Sequence, residues 1–310
     1  MTISIGYLGP RGTFTEAALR QLTIAADADL VAYPTVTAAL DAARSGEVQY
    51  ALVPLENSVE GSVSQTLDEL AAGEPLVITE EVALNVTFSL MARPGTTLED
   101  VRLITTHPHA HAQCRGWLAT VAPDARVVPA LSTAAAAEEV SDPASRFDAA
   151  ISAEIAAEHY GLEILARNIG DNTEAKTRFV LVSQPIAPPA ITGSDRTTLV
   201  LFMRDNHPGA LLEILTELTV RGVNLSRLES RPTQKQLGDY YFSVDCEGHI
   251  NESRVGEALR GLRRICADVR YLGSYPRHDG LLPEMRIGTS DDDFSEANEW
   301  LTNIRKTGKS

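Results

Sequence analysis

The chain has 310 residues with 27 basic against 42 acidic side chains, and its formal net charge of −15 disfavours nucleic acid and anionic membranes as partners. Its length suits about two domains, and a hydrophobic content of 44% can fill more than one core. No run of about 18 apolar residues occurs, and Cys114, Cys246 and Cys266 are too few and scattered for a disulfide framework or a four-cysteine metal site.

The opening MTISIGYLGP alternates like a strand and lacks the basic and apolar regions of an export leader, so a cytoplasmic protein is expected. Short apolar runs at 3–8, 48–55, 86–91, 103–105 and 149–152 alternate with alanine-rich helical patterns, as in an α/β fold. Thr13 and Glu16 in TFTE have the spacing of a capping box. The extended run Leu76–Leu90 is long for one strand and is expected to carry the chain between two lobes, with the return around Leu162–Phe179.

Four polar stretches fall at expected strand ends: VPLENSVEGS, TTHPHAHAQC, LSTAAAA and KTRF. Beyond strand ends, helix N-termini offer free amides to anions, so the four can converge on one anionic site. Taken singly, Ser62, Thr106 and Thr133 also fit as helix N-caps, and Glu56–Asn57 fits an Asx turn. His107, His109 and His111 have no carboxylate or cysteine at a ligand spacing, and Pro108 with a helix start is expected to turn His109 from the other two. No metal is expected. GPRGTF lacks the lysine and hydroxyl of a phosphate loop, and GKS at 308–310 has no helix after it, so neither reads as a nucleotide site.

The stretch SQPIAPPAITGSDR, with three prolines and a glycine, reads as a linker. Beyond it the order is strand, helix, strand, strand, helix, strand, the ferredoxin-like split βαβ pattern. Leu211, Ile214, Leu215 and Leu218 share one helical face. After Pro276 a tail is expected to end in a helix begun by Asp291–Asp293, with Phe294, Ala297, Leu301 and Ile304 on a stripe that packs back on the body.

Together YLGPRGTFTEAA, VPLENSVEGSV, HPHAHAQC, LSTAAAA, TRFVLV, NHPGALLEIL and LESRP, in this order over residues 1 to about 275, resemble prephenate dehydratase with a fused ACT regulatory domain. The resemblance implies a two-lobed catalytic domain like type 2 periplasmic binding proteins over 1–184, the lobes being roughly 1–80 with 165–184, and 81–164. A linker at 185–196, a βαββαβ ACT domain at 197–276 and the tail at 277–310 follow. It also implies decarboxylating dehydration of prephenate to phenylpyruvate without cofactor, a homodimer or homotetramer, and control by L-phenylalanine. Arogenate dehydratase and a non-catalytic amino-acid sensor are the alternatives.

Prephenate is a dianion whose barrier lies in expelling ring hydroxide, so a proton or hydrogen bond must reach the leaving oxygen. The resemblance assigns that donation to Thr177, with Glu56 or a relayed water restoring the proton. Asn57, Ser58, Thr106, Gln113, Ser132, Thr133 and Arg178 are the expected substrate contacts. Strand alternation turns Arg178 away from the face that carries Thr177, which also fits a brace. For phenylalanine the expected contacts are Asn206, Gly209, Ala210, Leu211, Asn224, Leu225, Glu229 and Ser230, with Gly209 giving close approach to backbone amides.

Overall fold

Alternation in the first residues becomes β1 (Ser4–Leu8), whose Ile5 and Tyr7 are fully buried. In the computed structural model, which describes residues 2–233 and 239–308, α1 (Phe14–Leu19), β2 (Asp29–Tyr33), α2 (Val36–Ser45), β3 (Tyr50–Asn57), β4 (Gly61–Ser62), α3 (Ser64–Ala71) and β5 (Val77–Asn85) follow. Then come β6 (Ser89–Ala92), β7 (Leu103–Thr106), α4 (Pro108–Gln113), α5 (Arg115–Val121), β8 (Arg126–Pro129), α6 (Thr133–Ser141), β9 (Ala149–Ser152), α7 (Glu154–Tyr160) and β10 (Glu163–Ala166). The remaining elements are β11 (Lys176–Ser183), β12 (Asp195–Phe202), α8 (Ala210–Thr219), β13 (Leu225–Pro232), β14 (Tyr240–Glu247), α9 (Ser253–Ile265), β15 (Asp268–Pro276) and α10 (Asp291–Thr307). Of the discarded GKS stretch, Lys309 and Ser310 lie outside the described residues.

Two sheets make the first part of the chain. One has the order β2-β1-β3-β11-β5, with β4 on β3, and the other β10-β6-β9-β7-β8. The parallel pairs β1/β2, β1/β3, β7/β8 and β7/β9 need the helical crossovers that the alanine-rich segments supply. The chain passes from the first sheet to the second through residues 86–88, beyond the expected division at 80, because β5 keeps its place in the first sheet to Asn85. It returns through residues 167–175. Cores form on the first sheet around Ile5, Leu52, Phe179 and Leu181, and on the second around Leu90, Ile104 and Ile151.

The third sheet, β13-β14-β12-β15, is antiparallel throughout, with α8 and α9 supplying Ile214, Leu218, Val255 and Leu262 to its core. The chain divides into two compact units, 1–66 with 82–181, and 67–81 with 182–310. Residues 67–81 belong with the second unit partly because buried Glu81 accepts two hydrogen bonds, at 2.5 and 2.7 Å, from Arg196. β12 begins at Asp195, which pairs with Pro276 of β15, so the last two residues expected in the linker are strand.

Four local expectations change. Thr13 caps α1, but the Glu16 carboxylate accepts from the Gly12 amide rather than closing a capping box. Ser132, not Thr133, caps α6, and His107 rather than Thr106 caps α4. α10 forms with a complete Ser290/Asp293 capping box and contacts α9, yet none of its residues is buried.

Candidate active site and effector pocket

A cleft of about 1170 Å³ lies in the first unit, where the ends of β1, β3, β7 and β8 meet the start of β11. Its apolar wall includes Phe14, Phe88 and Phe179, and its polar groups include Arg11, Asn57, Glu60, Gln113, Ser132, Thr133, His109 and Thr177. Five of the nine residues expected at the substrate site, Asn57, Gln113, Ser132, Thr133 and Thr177, therefore share one cavity.

Asn57 ends β3 and Thr177 is the second residue of β11. The Asn57 side-chain carbonyl accepts from the amides of Val59 and Glu60, at 2.8 and 3.1 Å, which is the Asx turn and fixes which amide atom is which. Its Nδ2 is thereby aimed at Thr177 and donates to Oγ1 at 2.8 Å. Ser58 exchanges hydrogen bonds with the Lys176 backbone, its amide donating to the carbonyl and its hydroxyl accepting from the amide, both at 2.9 Å. This registers the residue before Thr177, and Ser58 itself is outside the cleft lining.

Strand alternation separates the remaining expected residues. Glu56 and Arg178 face away from the cleft and form an ion pair of 3.1 Å, with Arg178 buried and Glu56 partly exposed. Glu56 is thus corrected from proton source to strand brace, and Arg178 from substrate contact to its partner. Thr106 is buried and its hydroxyl donates to the Ile151 carbonyl at 2.7 Å, tying β7 to β9 instead of reaching the cleft.

Arg11, Glu60, His107 and His109 are among the lining groups that were not expected as substrate contacts, although the last three belong to stretches expected to converge on the site. Arg11 sits in the GPRGTF stretch set aside as a failed phosphate loop, and its signal was a lone cation directly after a strand. The loop is held by α7, whose Tyr160 hydroxyl donates to the Arg11 carbonyl at 3.0 Å and whose Ala156 leaves only 3.0 Å for a side chain at Gly12, where φ is +81°. Beneath it Glu16 accepts from the Gly12 amide at 2.7 Å and pairs with His159 at 2.7 Å. Burial alone would raise the Glu16 carboxyl, but the Gly12 amide, His159 and Arg20 outweigh it and hold it below its usual value.

His109 contacts the Glu60 carboxylate, and Glu60 belongs to the turn that holds Asn57. The His107 and His109 rings lie 4.9 Å apart, so the proline does not part them as expected. Burial, then the neighbouring His109, lowers the His107 pKa, and its Nδ1 accepts from the His109 amide. Among the described residues no group of three or more His, Cys, Asp or Glu has the arrangement of a metal site.

In the second unit a smaller cavity of about 510 Å³ is lined by Asn206, Gly209, Ala210, Leu211 and Ser230, together with Met203, Leu215 and Phe242. α8 begins at Ala210, and Gly209, left-handed with φ +95°, is its N-cap. A side chain built at Gly209 meets nothing within 4 Å. Asn224, Leu225 and Glu229 are not in this lining. Next to Ser230, Arg231 holds Asp68 at 2.7 and 3.1 Å, and the Tyr241 hydroxyl donates to the same carboxylate at 2.6 Å.

Residues 5–187 match the family profile described as prephenate dehydratase, and residues 197–264 match that of the ACT domain. A prephenate dehydratase of Mycolicibacterium vanbaalenii is 49% identical, with 97% of this chain and 98% of the relative covered. The crystal structure of prephenate dehydratase from Arthrobacter aurescens in complex with L-Phe is 49% identical with a TM-score of 0.94, covering 98% of this chain and 100% of that one. A solved structure described as a new type of quorum quenching acylase, GqqA, is 33% identical with a TM-score of 0.79, covering 88% and 97%.

Proposed function

The chain belongs to the prephenate dehydratase family, lyases that eliminate water and carbon dioxide, and from that premise we propose how its cleft performs the elimination and where phenylalanine controls it. The overall change is prephenate dianion plus one proton to phenylpyruvate, carbon dioxide and water. The bond from the ring to its carboxylate breaks, its electron pair enters the ring, and the ring hydroxyl leaves from the opposite carbon.

The hydrogen bond from Asn57 Nδ2 to Thr177 Oγ1 carries the reading. With that oxygen already accepting, the hydroxyl hydrogen of Thr177 is turned to another acceptor, and donation into Oγ1 polarises the O–H further. Thr177 is only 8% exposed, so its hydroxyl is held in place at the cleft wall, ready to donate as charge grows on the leaving oxygen. The Glu60–His109 pair, joined to the same turn, is the lining group suited to supply the proton. Arg11, the Arg or Lys of the lining, suits a substrate carboxylate, as do Gln113, Ser132 and Thr133 by hydrogen bonding.

The same hydrogen bond argues against acyl transfer like that named for GqqA. A threonine nucleophile needs a base that accepts its proton, and Asn57 meets Thr177 with an N–H donor. One assay tests the reading: purified protein is offered prephenate and arogenate, with phenylpyruvate and phenylalanine followed by absorbance and mass. Turnover of prephenate is expected; turnover of arogenate alone would make it an arogenate dehydratase, and turnover of neither a sensor.

For control, phenylalanine occupies the cavity at the start of α8, where Gly209 leaves open space beside the helix amides. Support comes from the five expected residues that line it and from the related structure solved with L-Phe. A cytoplasmic location fits three free, buried cysteines, with burial pushing Cys114 up to about 12 and Cys266 up to about 11. A homodimer or homotetramer is the expected assembly, supported by the exposed apolar side chains Leu212, Val220 and Leu228 of the second unit.

A further inference from the structure

Nothing in the chemistry above uses the chain beyond Pro276, yet α10 is a well-formed helix of 17 residues, about 25 Å long at 1.5 Å per residue. It is fixed at its start, where Asp291 accepts a hydrogen bond of 2.6 Å from the Ser253 amide and Thr289 is buried. Its apolar side is covered only in part. Trp300 is 54% exposed and Leu301 37%, Ala297 is exposed, and Phe294 and Ile304 are half-buried. An anchored helix that keeps Trp and Leu in water presents a docking face, and its anchoring lowers the entropy lost on docking.

The charge pattern identifies the occupant. The first turn carries Asp291, Asp292 and Asp293, and the last carries Arg305 and Lys306. We propose that α10 docks against α10 of a second copy, the two helices antiparallel about a two-fold axis. That arrangement brings Phe294 opposite Ile304 and Ala297 opposite Leu301, and the acidic turn of each copy meets the basic turn of the other. The two helix dipoles are opposed as well. A parallel pair would set acid against acid. An anionic membrane is disfavoured by the acidic turn and by the net charge of −15, and a basic partner would match one end only.

This inference rests on the homo-oligomer reading and names an interface for it. The test is the mass of the full chain in solution by light scattering and sedimentation, for the wild type, Trp300→Asp, Leu301→Asp and the double variant Arg305→Glu/Lys306→Glu. Each altered side chain is outside the cores, so a circular dichroism spectrum and a prephenate turnover assay verify that the variants are folded. The expected result is a wild-type oligomer, with all variants dissociating to a smaller species and self-association weakened by about tenfold or more. A wild type that is monomeric throughout the micromolar range overturns both the oligomer reading and this inference. A wild-type oligomer whose mass is unchanged in all three variants overturns the α10 interface alone.

Discussion

Asn57 donates to the Thr177 hydroxyl at 2.8 Å across 120 positions of sequence, and its own carbonyl is held by the amides of Val59 and Glu60. The turn therefore sets which way the threonine proton points, and two predictions for the chemistry follow from that geometry and its surroundings.

Thr177→Ala is expected to lower kcat by about 10²- to 10³-fold, the scale for losing one donor to a developing oxyanion, while Thr177→Ser keeps most of the rate. Asn57→Ala should cost about 10- to 10²-fold. Because one residue acts through the other, the double variant should lose less than the product of the two effects. Steady-state kinetics on all four proteins measures the coupling, and a strictly multiplicative result would remove the hydrogen bond from the mechanism.

Glu56→Gln should leave kcat within about threefold of the wild type, since Glu56 faces Arg178 away from the cleft. His109→Gln and Glu60→Gln should each lower kcat by about 10²-fold if their pair delivers the proton. The reverse ranking of Glu56 and Glu60 in a turnover assay would restore Glu56 as the acid.

Gly209→Val should abolish phenylalanine inhibition with kcat for prephenate kept. A valine there projects into the effector cavity, and φ of +95° further strains the helix start by about 1–2 kcal/mol. Activity against phenylalanine concentration, beside calorimetric binding, tests this. Binding as tight as in the wild type would move the effector site elsewhere.

Acid should destabilise the second unit through two carboxylates. The Arg277 guanidinium holds the Asp279 carboxyl down at about 2, against an unfolded value of 3.8. Burial alone would raise Asp68, but hydrogen bonds from Arg231 and Tyr241 outweigh it and keep it low. A depressed carboxylate contributes stability above its unfolded pKa and loses it as pH falls through the folded value. Thermal melts should therefore fall steeply below about pH 4, and Asp68→Asn should lower Tm at neutral pH while flattening the acid slope. An identical acid slope in the variant would mean that Asp68 carries none of it.

Local sequence determined several of the strands, the linker prolines, the split βαβ order and the motifs, because each depends on periodicity or turn chemistry within a few residues, while β2 and β8 went unread. The family resemblance of those motifs put Asn57, Gln113, Ser132, Thr133 and Thr177 among the cleft candidates. Only the tertiary structure decided which neighbours in those motifs face the cleft. Glu56 and Asn57, or Thr177 and Arg178, are adjacent in sequence and point to opposite sides of a strand, and which side is the cleft depends on what packs there. The same holds for Arg11, whose loop is fixed by α7 from about 145 residues away, and for α10, whose stripe was legible as amphipathic while its exposure depended on what the fold packs against it. Periodicity states that a face is apolar; only the fold decides what meets it.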